Sequence, residues 1–337
     1  MKKILFASSA IVAVAFAGQA QASEPIKLSV GGYMEQWIGF VDEDAPDTEG
    51  RVNAFQSDTE VYFSGSTTLD NGIEIGARIE LEGETSGDQI DEQFLFVNGG
   101  FGRIEMGKND SAADSMGITA PRVGPVGPND GGIEDWYENA GIIDTVPSSG
   151  DQNRVTYFTP SLGGFQAGVS FADDSGKNGS DGYNSIDGSG DNVVSAALTY
   201  EADFDGFSLG LSAEGENVNE GSWYGAGVNV GFGNFTVGGS YGHTEDDYGL
   251  NLEDDGSNGE DIDAYDIGIS YAMDAASVSA TYAYQEEGDE EIQAASVGLN
   301  YTLGAGVSWQ SSVFWFDEES DADNEGYGVI TGLALNF

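Results

Sequence analysis

Gly326-Tyr-Gly-Val-Ile-Thr-Gly-Leu-Ala-Leu-Asn-Phe337 alternates without a break. Tyr327, Val329, Thr331, Leu333, Leu335 and Phe337 share one face of an extended chain, because side chains on a strand alternate with period two. Gly328, Ile330, Gly332, Ala334 and Asn336 share the other face. The first face is mostly apolar and ends on an aromatic ring, which suits a strand facing lipid with its last ring in an interfacial girdle. Residues 73–82 repeat the pattern, with Ile73, Ile75, Ala77, Ile79 and Leu81 on one side and Glu74, Gly76, Arg78, Glu80 and Glu82 on the other. Such a strand fits a soluble sandwich with an apolar interior, or a membrane barrel with a wet lumen. The connections separate the two.

Sixteen strand-like segments are expected, near 26–40, 54–69, 72–82, 92–99, 101–108, 152–160, 164–173, 191–201, 206–215, 221–231, 233–243, 261–272, 275–286, 291–303, 306–316 and 326–337. Every second connection is tight. Asp70-Asn71 before Gly72 is a hairpin turn of residues that tolerate positive φ. The intervening connections are mostly longer and acidic, as in DEDAPDTEGR at 42–51 and DEESDADNE at 317–325. An even strand number, with short turns at one end and long loops at the other, predicts an all-β, up-and-down antiparallel transmembrane barrel. Residues 109–151 stand apart as a long, proline-bearing third loop, and Gly132-Ile-Glu-Asp-Trp-Tyr-Glu-Asn139 within it predicts a short helical turn packed through Trp136 and Tyr137.

Met1-Lys2-Lys3, the apolar run to Ala17 and Ala20-Gln-Ala22 read as a secretory signal, so residues 1–22 are expected to be removed and 23–337 to form one barrel domain. Cysteine is absent, which excludes a disulfide framework and thiolate metal sites. Ten basic residues face 59 acidic ones, a net charge of −49. Phosphates would be repelled, so no nucleic-acid partner is expected. The acidity serves either solubility in a salty habitat or the attraction of cations into a pore.

From Val30-Gly-Gly-Tyr-Met-Glu-Gln-Trp37, through Leu69-Asp-Asn-Gly-Ile73 and Gly102-Arg-Ile-Glu-Met-Gly-Lys-Asn109, to Asn153-Arg-Val-Thr-Tyr-Phe-Thr-Pro160, the chain resembles the Gram-negative general diffusion porins. It resembles in particular their alphaproteobacterial sixteen-stranded class. The resemblance implies a homotrimer in the outer membrane of a Gram-negative bacterium, passing ions and small hydrophilic solutes. It implies that the third loop folds into the lumen and narrows it. Pro128-Asn-Asp-Gly-Gly132 resembles the loop-tip turn, which makes Asp130, Glu134, Asp135 and Glu138 the acids of the constriction. Phe337 resembles the signal read by the barrel-assembly machinery.

Strand parity supplies the opposite wall. If Ile73, Ile75, Ile79 and Leu81 face lipid, Arg78 faces the lumen; if Val155 and Tyr157 face lipid, Arg154 faces the lumen, and Arg51 could join them from a loop end. Glu35, Asp58, Glu60, Glu80 and Glu82 point inward by the same count. This wall departs from the clustered arginines of the family and predicts cation preference. The aromatics Tyr33, Trp37, Phe40, Tyr62, Phe63, Tyr157, Phe158, Tyr271, Tyr282, Tyr284, Trp309, Phe314, Trp315 and Phe316 are expected in interfacial girdles.

No catalytic residue is expected, since the lone His243 reads as a rim residue and no phosphate-binding loop is present. No cofactor or structural metal is expected beyond loosely bound Ca²⁺ at the acidic loops, where it would bridge loops or lipopolysaccharide. The alternative to a general channel is a substrate-specific one for a sugar or other nutrient. A Ca²⁺-binding solenoid would need a short fixed repeat, which is missing.

Overall fold

Each alternating segment becomes one strand, and the last strand pairs with the first. The computed structural model describes residues 25–44, 53–84, 89–137, 141–173, 192–218, 220–249, 260–319 and 324–337. The strands are β1 (Ser29–Glu43), β2 (Asn53–Thr68), β3 (Glu74–Glu82), β4 (Ile90–Gly99), β5 (Gly102–Asn109), β6 (Gln152–Phe158), β7 (Phe165–Ala172) and β8 (Val193–Phe204). They continue as β9 (Phe207–Val218), β10 (Gly221–Phe232), β11 (Phe235–Thr244), β12 (Ile262–Ala272), β13 (Ala276–Glu287), β14 (Glu290–Gly304), β15 (Val307–Glu319) and β16 (Asn324–Asn336). Every strand pairs antiparallel with its neighbours, and β1 closes on β16 from Tyr33↔Asn336 to Glu43↔Gly326. Phe337 completes the seam, exchanging two 3.0 Å backbone hydrogen bonds with Gly32. Closure leaves no unpaired edge, which lipid requires.

The faces divide as the alternation predicts. Tyr327, Val329, Leu333 and Leu335 lie exposed on the outer surface, while Ile330 and Ala334 are buried inside. Exposed aromatics flank the apolar band at both ends. Phe165, Phe204, Phe207, Phe232, Trp309 and Phe337 lie toward the short turns, and Phe40, Phe55, Phe171, Tyr224, Tyr265 and Tyr327 toward the long loops. His243 sits near the loop end of β11 with Nδ1 3.0 Å from Asp263 Oδ1.

On the loop side the turn at 288–289 between β13 and β14 is an exception to the mostly longer connections. One expectation needs correction. Several aromatics leave the girdle: Trp37, Phe158, Phe314 and Phe316 are buried on the inner face. The reason is the third loop, which brings its own apolar side chains into the lumen and needs a surface to cover.

Candidate functional site

Residues 110–137 and 141–151 run inside the barrel, against the inner faces of β6 to β16 and, at the tip, of β1 and β2. Ser111 caps a short helix, α1 (Ala112–Met116), by accepting from Asp114 N at 3.2 Å. Ala112 and Met116 pack on Phe158 of β6 and Ala197 of β8. From there the loop crosses one strand after another, and serines of the wall satisfy its backbone. Ala112 N donates to Ser170 Oγ (3.2 Å), Ala113 N to Ser195 Oγ (3.3 Å), Ile118 N to Ser212 Oγ (3.0 Å) and Val123 N to Ser279 Oγ (3.0 Å). Ser312 Oγ in turn donates to Val126 O at 3.2 Å. Buried backbone groups must be paired, and these hydroxyls can donate or accept. Glycines give the backbone room: a Cβ on Gly227 would lie 1.8 Å from Ile118 O, and one on Gly298 would lie 1.7 Å from Val123 O.

The loop tip docks through apolar contacts. A single 3₁₀ turn, Glu134–Trp136, aims Trp136 at the wall, where Val126, Ile133, Trp136, Tyr137 and Ile143 form one cluster with Trp37, Val41, Phe314, Phe316 and Ile330. Tyr137 stacks on Phe316 with ring centroids 3.6 Å apart. Trp136 lies over Gly39, so closely that a Cβ there would be 2.0 Å from the ring. Gln56 of β2 donates to Asp135 O at 2.7 Å, and Tyr137 Oη donates to Glu318 at 2.7 Å. On its return the loop meets β13, where Asp144 N donates to Gln285 (3.2 Å), and β11, where Thr145 and Ser240 hydroxyls lie 2.6 Å apart.

Away from the tip contact at Trp37, Gly39, Val41 and Gln56, the inner face of β1 to β5 is left uncovered, and it is acidic. It carries Asp58, exposed, Glu35 and Glu82, half-buried, and Glu60, Glu80 and Glu105, buried among their neighbours, against Arg78 and Arg103. Arg78 is ion-paired with Glu80 and lies 4.4 Å over the Tyr62 ring; Arg103 is ion-paired with Glu105 and lies 4.3 Å over Phe96. Both cations are therefore neutralised locally.

Arg154 corrects the parity reading. It points inward, yet it is 3% exposed, sealed beneath the base of the loop. Its guanidinium donates to Gly150 O and lies 3.6 Å from Glu216, whose other oxygen accepts from Ser149 N and Tyr248 Oη, each at 2.8 Å. It tethers the loop and does not face open lumen. Of the loop acids, Asp130 and Asp135 are exposed and Glu134 is half-buried, its Oε1 accepting from Gly132 N at 3.1 Å. Arg51 and Glu138 lie outside the described residues.

Parity missed three things. Arg122 puts a cation on the loop itself, exposed, donating to Gly131 O at 2.9 Å and facing Asp130 and Glu134. Arg103 lies on the free wall. Asp91 and Glu92 join the wall together, because the β3–β4 ladder slips beside them.

A cavity of about 200 Å³ opens between the legs of the loop, lined by Asp114, Arg122, Asp130, Asp144 and Asp266. Asp266 is fully engaged, accepting from Ser240 and from Ala120 N and Asn129. Burial pushes the Asp144 carboxyl up to about 7, helped by the nearby charge of Asp130. Burial, then Asp110, pushes Asp114 up to about 8. The arrangement holds its acids with hydroxyl and amide donors, Ser148 Oγ lying 3.2 Å from Asp114 and Ser240 Oγ 2.7 Å from Asp266. What it offers is a field: a charged gap between a fixed loop and a fixed wall.

The sequence matches the Gram-negative porin family over residues 7–321. A porin of Rhodobacter capsulatus is 29% identical over 160 residues, covering 48% of this chain and 49% of that protein. The chain thus spans about half the length of the curated relatives it matches. Among solved structures, the anion-selective porin from Comamonas acidovorans superposes with a TM-score of 0.65 at 16% identity, covering 93% of this chain and all of that one. OmpT of Vibrio cholerae in its trimer form gives 0.66 at 13% identity, covering 94% of this chain and 100% of that one. At these identities the likeness is one of fold.

Proposed function

This chain belongs to the Gram-negative porin family and is an outer-membrane protein, and from that premise we propose that it is a general diffusion channel. Ions and small hydrophilic solutes would cross through the gap between the loop and the β1–β5 wall, sorted by size and charge and without a covalent step. The observation that carries this reading is the division of the inner surface. The loop is bonded or packed to β6–β16 and, at its tip only, to β1 and β2, and polar residues line the side it leaves open. A loop pinned this way narrows a barrel without plugging it.

Cation preference is the finer part of the proposal. Carboxylates outnumber guanidinium groups on the free wall, and Arg78 and Arg103 are spent on neighbouring glutamates. An acid-lined pore concentrates cations and repels anions. The Comamonas porin, described as anion-selective, shares the fold; selectivity therefore rests on side chains and not on the barrel. A homotrimer is the proposed assembly, supported by the trimer form of the similar Vibrio protein.

Liposome swelling with sugars graded in size tests the channel. Rates that fall steeply with solute size, with no preference among isomers of one size, support general diffusion. No swelling from correctly folded protein overturns it.

A further inference from the structure

Two consecutive carboxylates of β4 turn into the lumen, which regular alternation forbids. The β3–β4 ladder slips between Ile79↔Gln93 and Leu81↔Ile90, so that Asp91 and Glu92 together stand opposite Glu80. Two residues against one is a β-bulge, a device that re-aims side chains. Asp91 thereby joins Glu60 and Glu80, with one carboxylate oxygen of each within 4.8 Å of the others.

Three carboxylates at this spacing need a counter-charge. Arg78 supplies one, paired with Glu80. Glu60 is 6% exposed, and its Oε1 is buried with no hydrogen-bond partner. A buried, unpartnered carboxylate oxygen is costly unless something positive meets it. The donor set is oxygen only, which suits a hard cation. Ca²⁺ takes carboxylates and waters in flexible geometry, and the lumen supplies water to complete its shell.

We propose that Glu60, Glu80 and Asp91 bind a divalent cation, Ca²⁺ or a close analogue, on the wall that faces the loop. The bound ion locks β2, β3 and β4 together at the bulge. It also cancels charge on the free wall, so Ca²⁺ tunes ion preference. That second consequence rests on the channel reading; binding itself does not.

Equilibrium dialysis of the folded full barrel against CaCl₂ tests the site. The native protein should show one saturable site per chain above the weak background of the acidic loops. Glu60→Gln and Asp91→Asn should each weaken it by at least about tenfold, the scale found even for lost outer-sphere partners. Glu82→Gln, beside Glu60 in the ladder but outside the cluster, should bind as native. Heat-modifiable mobility on gels verifies that each variant is folded. In bilayers at constant ionic strength, added Ca²⁺ should lower cation preference of the native channel and leave that of Asp91→Asn unchanged. No saturable site in the native protein, or equal binding by both variants, would overturn the proposal and leave a shared proton as the counter-charge. Intact Ca²⁺ binding without conductance would sink the channel reading alone.

Discussion

Replacing Trp136 by alanine should free the loop tip while leaving the barrel intact. Trp136 is 8% exposed and lies against Gly39 of β1 in the cluster that docks the tip. An indole buried to that degree hides an area near the upper end of about 150–250 Å². At about 25 cal/mol per Å² this amounts to about 5 kcal/mol, in line with the roughly 3–5 kcal/mol measured for large aromatic truncations. Ile133, Tyr137, Ile143 and Val126 remain buried in the same cluster, each contributing about 1.5–3 kcal/mol. The loop therefore stays docked on average, but its tip visits open positions far more often. Single-channel records should show higher open-channel noise and brief openings of larger conductance, and swelling assays a larger size limit. Gly39→Ala attacks the same contact from the other side, since its Cβ would collide with the ring. Alanine at both positions should be less disruptive than the sum of the single changes, because removal of the ring makes room for the methyl; contacting residues couple in this way. Noise, conductance and size limit all unchanged in Trp136→Ala would refute the idea that this contact positions the constriction.

Cation preference should rise with pH through about 7 to 8, well above the ordinary carboxylate range, as Asp144 and Asp114 lose protons that burial makes them keep; Asp144→Asn should remove the lower step in reversal potentials measured against pH. Because the folded form holds these protons more tightly than the unfolded chain, the same two groups should make the fold less stable as pH rises from about 4 to 8, which thermal melts in detergent would register. Glu216→Gln should lower the melting temperature, since breaking a buried pair costs about 3–5 kcal/mol, yet barely alter ion selectivity, both side chains of the Arg154–Glu216 pair being fully buried. Arg78→Gln should do the opposite, raising cation preference with little change in melting, because its side chain is 41% exposed toward the lumen.

The strand pattern was legible because period-two alternation survives in nearly every segment, β4 excepted, from Ile73–Leu81 to Tyr327–Phe337. Each segment answered to one strand, and its apolar face turned outward. The site was legible only in part. Parity placed Arg154 inward, but no count along a strand reveals that Ser149 and Gly150 fold over it. Asp91 reads as outward on an unbroken β4; only the slipped ladder turns it in beside Glu92. The track that carries the loop was present in the sequence as inward serines, Ser170, Ser195, Ser212, Ser279 and Ser312, with Gly227 and Gly298 among them. Serines and glycines on the inner face of β7–β15, set against the paired acids and arginines of β1–β5, were the available signal. They say nothing until something is known to lie on them. Trp37, Phe314 and Phe316 misled for the same reason, since an aromatic ring suits a lipid interface and a docked loop equally well.

The most direct measurement is the reversal potential of single channels in a planar bilayer under a KCl gradient. The predicted result is an ohmic channel whose reversal potential has the sign of K⁺ selectivity and moves toward zero when Glu60 and Glu80 are both replaced by glutamine. A reversal potential of the sign for Cl⁻ would contradict the acidic-wall mechanism.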